Sequence, residues 1–306
     1  DHKLSLGLVG MHGHKETNLA VTESDLVIAV GARFSDRVIG KPDEFAPKAK
    51  IIHIDIDSTE IDKNSNNCIP LIGDMQSILK SLLGKIEKKD RSKWIEEINS
   101  FKEENSDKIS FNPKNILETA NEFYNNNTIV ATDVGQHQMW TGQFWKFKKS
   151  SEFVTSGGLG TMGYGLGAAI GSKIGNPEKD VVLITGDGSF RMNCCELATV
   201  SRYKLPLKII MINNHSLGMV RQWQRMFSNA RYSETDTFDV VDNVKLMDSY
   251  GIKGYKVDNL EDFRKILEET KSLDKSVFIE CLIDQDDSVY PIVPPGKPIN
   301  ELLLNG

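Results

Sequence analysis

Val181-Val182-Leu183-Ile184-Thr185 runs without a break into Gly186-Asp187-Gly188-Ser189, and the reading of this stretch decides the fold. A short apolar, β-branched run bounded by a glycine turn predicts a strand buried on both faces, the kind found in parallel sheets whose crossovers are helices. The turn lies at the strand's carboxyl end, where open α/β sheets bind ligands and where phosphate suits the start of the next helix. A second apolar run, Ile209 to Ile212, ends at Asn213-Asn214. Asp187 and Asn214 can therefore converge at neighbouring strand ends. One carboxylate, one amide oxygen and a nearby carbonyl make a hard oxygen site, suited to magnesium shared with a diphosphate. A tight Gly-Asp-Gly turn and a strand-ending Asn-Asn are also ordinary punctuation, so the pair alone leaves a purely structural reading open.

Working outward, strands are predicted over 128–132, 181–185, 208–213 and 277–283, and helices over 113–124, 162–173, 193–203, 219–226 and 260–270. Upstream, strands over 6–9, 26–30 and 50–56 alternate with helical stretches up to about residue 83. Between Lys85 and Lys108 the chain is highly charged while Trp94, Ile98 and Phe101 recur at helical spacing, which predicts an amphipathic linker helix. Residues 125–127 read as a turn. The expected architecture is α/β, with two doubly wound parallel-sheet domains over 1–84 and 113–306 joined by a charged linker over 85–112.

The length of 306 residues and 39% hydrophobic content support a sizeable core. A net charge of -6 leaves no broad positive field to gather nucleic acid or anionic lipid. No apolar run reaches the roughly 18 residues of a membrane span, and the first residues carry no signal or transit pattern. Cys68, Cys194, Cys195 and Cys281 show neither CxxC pairing nor zinc-ligand spacing, and read as small apolar residues in a reducing compartment.

The run from Gly186-Asp187-Gly188 to Asn213-Asn214 resembles the signature of the thiamine diphosphate enzymes. Four further segments, all in the same order, resemble the acetolactate synthases of that family: Gly10 to Gly13, Gly31 to Val38, Asp133 to Trp140 and Ser156 to Gly165. So does Gly218-Met219-Val220-Arg221-Gln222-Trp223-Gln224. The likeness covers nearly the whole chain.

The resemblance implies magnesium held by the side chains of Asp187 and Asn214 and by the carbonyl of Ser216. It implies thiamine diphosphate held by Val134, Gly135, Gln136, His137, Gly160, Met162, Gly186, Gly188, Ser189, Leu217, Gly218 and Met219 as well. Gly160 is expected to offer its carbonyl to the aminopyrimidine, Met162 to keep the coenzyme bent, and His137 or the neighbouring amide to act as donor in a loop near the reaction centre. Met219 and Trp223, four apart, share one helix face; they are expected to wall the reaction pocket and to select the second substrate.

By the same resemblance the first domain is part of an FAD-binding domain. Met11, His12, Gly13, Gly31, Ala32, Arg33, Arg37, Val38, Asp55, Ile56, Gly73 and Asp74 are the expected contacts, with Gln138, Met139, Gly157 and Gly158 from the second domain. Arg33 and Arg37 can offer fixed charge to a diphosphate, and Asp55 ends a strand where a ribose hydroxyl can be received. Surface ion pairing is the plain alternative for the two arginines. The family usually carries two acidic residues where this chain has Ser35-Asp36.

The implied activity is decarboxylation of pyruvate and ligation to a second 2-oxo acid, pyruvate or 2-oxobutyrate, at the head of branched-chain amino acid biosynthesis. FAD has no net redox role in it. The implied assembly is a homodimer or homotetramer, with a regulatory small subunit as a possible partner; the implied location is the bacterial cytoplasm or a plastid stroma. The family's activating glutamate lies upstream of the matched segments, so the chain alone is expected to be inactive. The competing expectations are a sibling thiamine enzyme (2-oxo acid decarboxylase, pyruvate oxidase or glyoxylate carboligase) and a noncatalytic cofactor-binding module. A nicotinamide dehydrogenase is disfavoured by the lack of GxGxxG after an early strand.

Overall fold

The computed structural model describes residues 2–65, 68–102, 110–124, 127–149, 152–237 and 241–305. They group into two compact units, Leu6–Ser106 with Tyr290–Gly306, and Asp1–Ser5 with Asp107–Val289.

The smaller unit carries a three-stranded parallel sheet in the order β1 (Leu26–Val30), β2 (Lys50–Asp55), β3 (Ile69–Ile72). Its helices are α1 (Lys15–Glu23), α2 (Asp36–Ile39), α3 (Met75–Leu83) and α4 (Ser92–Ser100). Ala29, Phe34, Ile39, Phe45 and Cys68 form its core together with Ile299 from the carboxyl-terminal segment. That segment is sewn in by Asn18, whose buried amide donates to the carbonyls of Gly10 and Ile299, both at 2.9 Å.

The larger unit holds β4 (Thr128–Thr132), β5 (Phe153–Val154), β6 (Asp180–Gly186), β7 (Leu207–Asn213), β8 (Lys253–Val257) and β9 (Val277–Leu282). All pair in parallel, in the order β5-β4-β6-β7-β9-β8. Its helices are α5 (Pro113–Phe123), α6 (Gln136–Phe144), α7 (Tyr164–Gly175), α8 (Asp187–Phe190), α9 (Leu197–Arg202), α10 (Gly218–Phe227), α11 (Asn243–Ser249) and α12 (Leu260–Thr270).

Successive side chains of a strand point to opposite faces, and here each face has its own core. Val130, Val182, Ile184, Ile210 and Ile212 pack with Ile116, Trp140 and Phe263 on one side. Ile129, Val181, Leu183, Ile209 and Met211 pack with Leu166, Leu197 and Met247 on the other. An unbroken apolar run is thus what a strand covered on both faces requires.

The strand expected over 6–9 does not form. Gly7 has φ +78°, outside the extended region, and the Leu8 carbonyl is drawn toward the start of α1, accepting from His14 N at 3.0 Å. The linker helix covers only Ser92–Ser100; residues 103–108 of that expectation, and 125–126 of the expected turn, lie outside the described residues. The helix expected from 193 begins as a 3₁₀ turn, Cys194–Glu196, before α9. β3, β5, β8, α6 and α11 are additions, and α6 turns the expected loop around Gln136 and His137 into a first helical turn. Among the described residues no helix is long and apolar enough to cross a membrane.

Candidate functional site

Three strands of the larger unit end at one cavity. The segment after β4 supplies Val134, Gly135, Gln136 and His137; the end of β6 supplies Gly186, Asp187, Gly188 and Ser189; the segment after β7 supplies Asn214, Ser216, Leu217, Gly218 and Met219. Met162 joins them from the glycine-rich segment before α7, and Trp140, Ile212 and Val220 complete the wall. From β4 the chain crosses to β5 on one side and then returns to β6 on the other. That reversal opens the crevice in which doubly wound sheets bind their ligands.

Two expected residues do not line this cavity. Gly160, at φ +64°, lies beside it: a Cβ there would sit 3.8 Å from Val134 Cγ1. Trp223 lies one turn beyond Met219 on α10, its ring edge-on to Phe227 at 5.3 Å between centroids.

Asp187 is 3% exposed and begins α8 at the end of β6. Burial pushes its carboxyl above the usual carboxylate range, and a hydrogen bond from the Thr237 hydroxyl and the nearby Arg191 charge offset this only in part. Asn214 is equally buried. Its Nδ2 donates to Gln136 Oε1 at 3.0 Å, which leaves Oδ1 for another partner. Ser216 forms an antiparallel bridge with Asp236 in which Leu217 N donates to Thr235 O at 2.7 Å and Thr237 N to His215 O at 3.0 Å. Neither of these bonds uses the Ser216 carbonyl. Asp187, Asn214 and Ser216 line the same cavity, and the carboxylate, amide oxygen and backbone carbonyl that they carry are hard oxygens of the kind that suits magnesium and not zinc. Among the described residues no three His, Cys, Asp or Glu side chains gather as a ligand group.

The turn carrying Asn214 is braced from beneath. Asn213 is fully buried; its Oδ1 accepts His215 N at 2.8 Å, and its Nδ2 donates to Glu280 Oε1 at 2.7 Å. The same Glu280 oxygen accepts Asn243 Nδ2 at 2.7 Å. Buried polar networks of this kind fix a single geometry when every member is satisfied.

Two glycines sit where the strand ends crowd each other. A Cβ on Gly188 would lie 2.6 Å from Leu217 Cδ2, and one on Gly218 only 1.9 Å from Gln136 Oε1. The Met162 side chain reaches toward Gly188, 3.7 Å from that Cβ position.

His137 is buried in the first turn of α6, and its Nε2 has no hydrogen-bond partner. Buried ring nitrogens are ordinarily paired, and His137 is one of the residues that line the cavity. Burial lowers its pKa to about 3, against a backbone hydrogen bond to Asp133. In the smaller unit burial likewise lowers His12 to about 4, against its contact with the Pro291 carbonyl. Between the ordinary value near 6.5 and these lowered values the folded chain binds fewer protons than the unfolded one. Stability is therefore full above pH 6.5 and is lost as pH falls below it, each group contributing up to about 1.4 kcal/mol per pH unit. We expect His137→Asn to make the thermal midpoint less sensitive to acidification between pH 6.5 and 4 than in the unsubstituted chain, where the raised carboxyls of Asp133, Asp187 and Asp287 act in the opposite sense, as read by scanning calorimetry. Parallel slopes for the two chains would contradict it.

The sequence reading missed Asp133. Its carboxylate accepts Gly163 N at 2.8 Å and Gly165 N at 3.2 Å, tying the glycine-rich segment to the end of β4. Gln138 does similar work, donating to Thr155 Oγ1 at 2.7 Å and Ser156 O at 3.3 Å, which holds the strand leading to Gly157 and Gly158 beside α6, where Met139 also lies. Thr237 and Gln222 were also missed. An aspartate thirty positions before Gly163 of the glycine-rich run was the one readable signal among these.

In the smaller unit the expected residues gather at strand ends too. Gly31, Ala32 and Arg33 follow β1, Asp55 ends β2 with Ile56 after it, and Gly73 and Asp74 follow β3. Met11, His12 and Gly13 pack against the α2 region: Met11 N donates to Arg37 O at 2.8 Å, and Arg37 Nη1 to Met11 Sδ at 3.2 Å, with Val38 adjoining. Asp74 is engaged in capping α3, accepting Ser77 N at 2.8 Å.

Comparison with known proteins agrees with this geometry. Residues 133–281 match the family profile described as the thiamine pyrophosphate enzyme C-terminal TPP binding domain, and residues 1–82 match the central domain of the same enzymes. The chain is 43% identical to the probable acetolactate synthase large subunit of Methanocaldococcus jannaschii, over 99% of this chain and 54% of that protein. It is 43% identical to the acetolactate synthase large subunit of Cyanidium caldarium, over 98% of this chain and 53% of that one. It is 41% identical to the isozyme 2 large subunit of Escherichia coli K12, over 99% of this chain and 56% of that one. The chain spans about half the length of these curated relatives.

Proposed function

The chain belongs to the thiamine pyrophosphate enzymes, as a homologue of acetolactate synthase large subunits, and from that premise we propose that it holds thiamine diphosphate and magnesium in the cavity between β4, β6 and β7 and serves acetolactate synthesis. The substrates would be pyruvate and a second 2-oxo acid. The observation that carries this reading is the convergence of Asp187, Asn214 and Ser216 on one cavity.

Thiamine diphosphate, when bound, supplies an electron sink for decarboxylating a 2-oxo acid and passing on the remaining two-carbon unit. The chain's own residues bind and orient. Asp187, Asn214 and the Ser216 carbonyl would hold the magnesium. The unpaired Nε2 of an uncharged His137 would meet a polar group of the cofactor. Met162, Leu217, Met219, Ile212 and Trp140 make the wall apolar, which excludes water and strengthens the polar contacts inside. Gly160 and Trp223, outside the lining, are proposed to act at its border, Trp223 on the choice of second substrate.

The proposal extends to FAD at the strand ends of the smaller unit, where Arg33 and Arg37 offer fixed charge and Asp55 a ribose acceptor. For Gln138, Met139, Gly157 and Gly158 the flavin assignment rests on resemblance alone. A homo-oligomer, with or without a regulatory subunit, is the proposed assembly.

Titration calorimetry of the chain with thiamine diphosphate, with and without magnesium, tests the site: we expect heat only when both are present. Equal heats without magnesium, or none with it, would overturn the reading. Product analysis with pyruvate on the complete enzyme separates acetolactate from the acetaldehyde or acetyl products of sibling thiamine enzymes.

A further inference from the structure

We propose that Gln222, which does not line the cavity, is a positioning residue that acts together with the Asp287 carbonyl to set the amide orientation of Asn214 through Gln136, so that an oxygen and not an NH₂ group is left for the metal. The inference rests on the reading of the site given above.

An asparagine can serve a magnesium ion only through Oδ1, and its two ends are nearly equal in size. Something must fix which end is presented. Asn214 alone does not decide it, because a glutamine partner such as Gln136 could accept or donate equally well.

The decision is made at the backbone. Gln222, 2% exposed on α10, grips one residue with both ends of its amide: Nε2 donates to Val289 O at 2.9 Å, and Oε1 accepts Val289 N at 2.9 Å. A peptide group cannot exchange its N–H and C=O, so the Gln222 amide has one permitted orientation. Its Oε1 then faces Gln136 Nε2 at 3.1 Å, and the same Nε2 donates to the Asp287 carbonyl at 2.9 Å. Gln136 is thereby forced to present Oε1 to Asn214. Only Nδ2 of Asn214 can answer it, at 3.0 Å, and Oδ1 is left over. Polarity passes from a backbone pair through two side-chain amides to the proposed metal ligand. Reversing any link sets two donors or two acceptors against each other in a buried site, which costs more than the bond itself.

The relay also ties the helix bearing Met219 and Trp223 to the metal side of the cavity. Gln222 lies on α10 between those two residues.

α10 supplies a control. Gln224 makes the same bidentate clamp on a single residue, Nε2 to Ser233 O at 3.1 Å and Oε1 from Ser233 N at 3.0 Å, with no link to the cavity. We expect Gln222→Leu to weaken the magnesium dependence of thiamine diphosphate uptake about tenfold, the scale at which residues behind a ligand act, and Gln224→Leu to leave it within twofold while lowering the thermal midpoint. Should Gln222→Leu fail to fold, Gln222→Met, of similar length, is read in the same way. In a double-mutant cycle Gln222→Leu should have no further effect on magnesium affinity once Gln136→Leu is present. If the unsubstituted chain shows no magnesium-dependent uptake, the site reading fails and the relay with it. If the unsubstituted chain and the Gln222 variants respond to magnesium alike, or the cycle is additive, the relay alone is overturned.

Discussion

Replacing Asp187 by asparagine is expected to abolish magnesium-dependent binding of thiamine diphosphate while raising the thermal midpoint of the cofactor-free chain. The two effects have one cause. Burial raises the carboxyl's pKa, so keeping it ionised costs the folded chain free energy that the unfolded chain does not spend. A carboxyl raised in this way contributes stability below its unfolded value near 3.9, and loses that contribution as pH rises through the folded value. Asparagine is nearly isosteric, can still accept from Thr237, and carries no charge to desolvate. The gain in midpoint should therefore shrink as the solution is acidified. The cation affinity should drop by at least about 100-fold, since even groups behind a ligand cost 10 to 100-fold when changed. Calorimetry of both chains at neutral and acid pH, with and without magnesium and cofactor, reads all three effects. Retained affinity in the variant would remove Asp187 from the proposed metal site.

Gly218→Ala should come next in size. The new Cβ would lie 1.9 Å from Gln136 Oε1, 2.6 Å from Gln136 Cδ and 2.7 Å from Asn214 Nδ2. Gly218 does not adopt a left-handed backbone, so the whole cost is steric. Overpacking of this kind typically costs about 1 to 3 kcal/mol. The atoms displaced are the two amides on which the proposed metal site depends, so at least a tenfold loss of cofactor affinity should accompany the lower midpoint. Gly167→Ala, in the middle of α7 with no atom within 4 Å of the new Cβ, should stabilise by about 0.5 to 1 kcal/mol and leave binding alone. If the two alanines behave alike, the crowding at Gly218 has no functional weight.

Much of this was readable in the chain itself, and the pattern of failures is physical. β4 and α12 have the bounds that periodicity predicts, because each is flanked by clear breaks. β8, Lys253-Gly-Tyr-Lys-Val, is an edge strand with polar residues on a half-exposed face, and β3 contains Pro70; neither carries the signal of a buried strand. α6 was missed because buried polar residues, Gln136, His137, Gln138 and Gln143, surround it and no apolar stripe stands out. The turns proposed to bear ligands were visible as local motifs. The bonds that orient them were not: Gln136 meets Gln222 across 86 positions, and Thr237 meets Asp187 across 50. No local rule encodes pairs so far apart.

The strand order described above also bears on how the protein reaches its native state. Every pairing in the six-stranded sheet is parallel and spans a crossover, so contacts are made between distant parts of the chain, and closing such loops slows folding. The cavity needs β4, β6 and β7 side by side before its wall exists. A cofactor therefore cannot nucleate this fold. It can only trap the finished one, deepening the native basin by mass action as its concentration exceeds its dissociation constant, and it should slow unfolding far more than it hastens refolding.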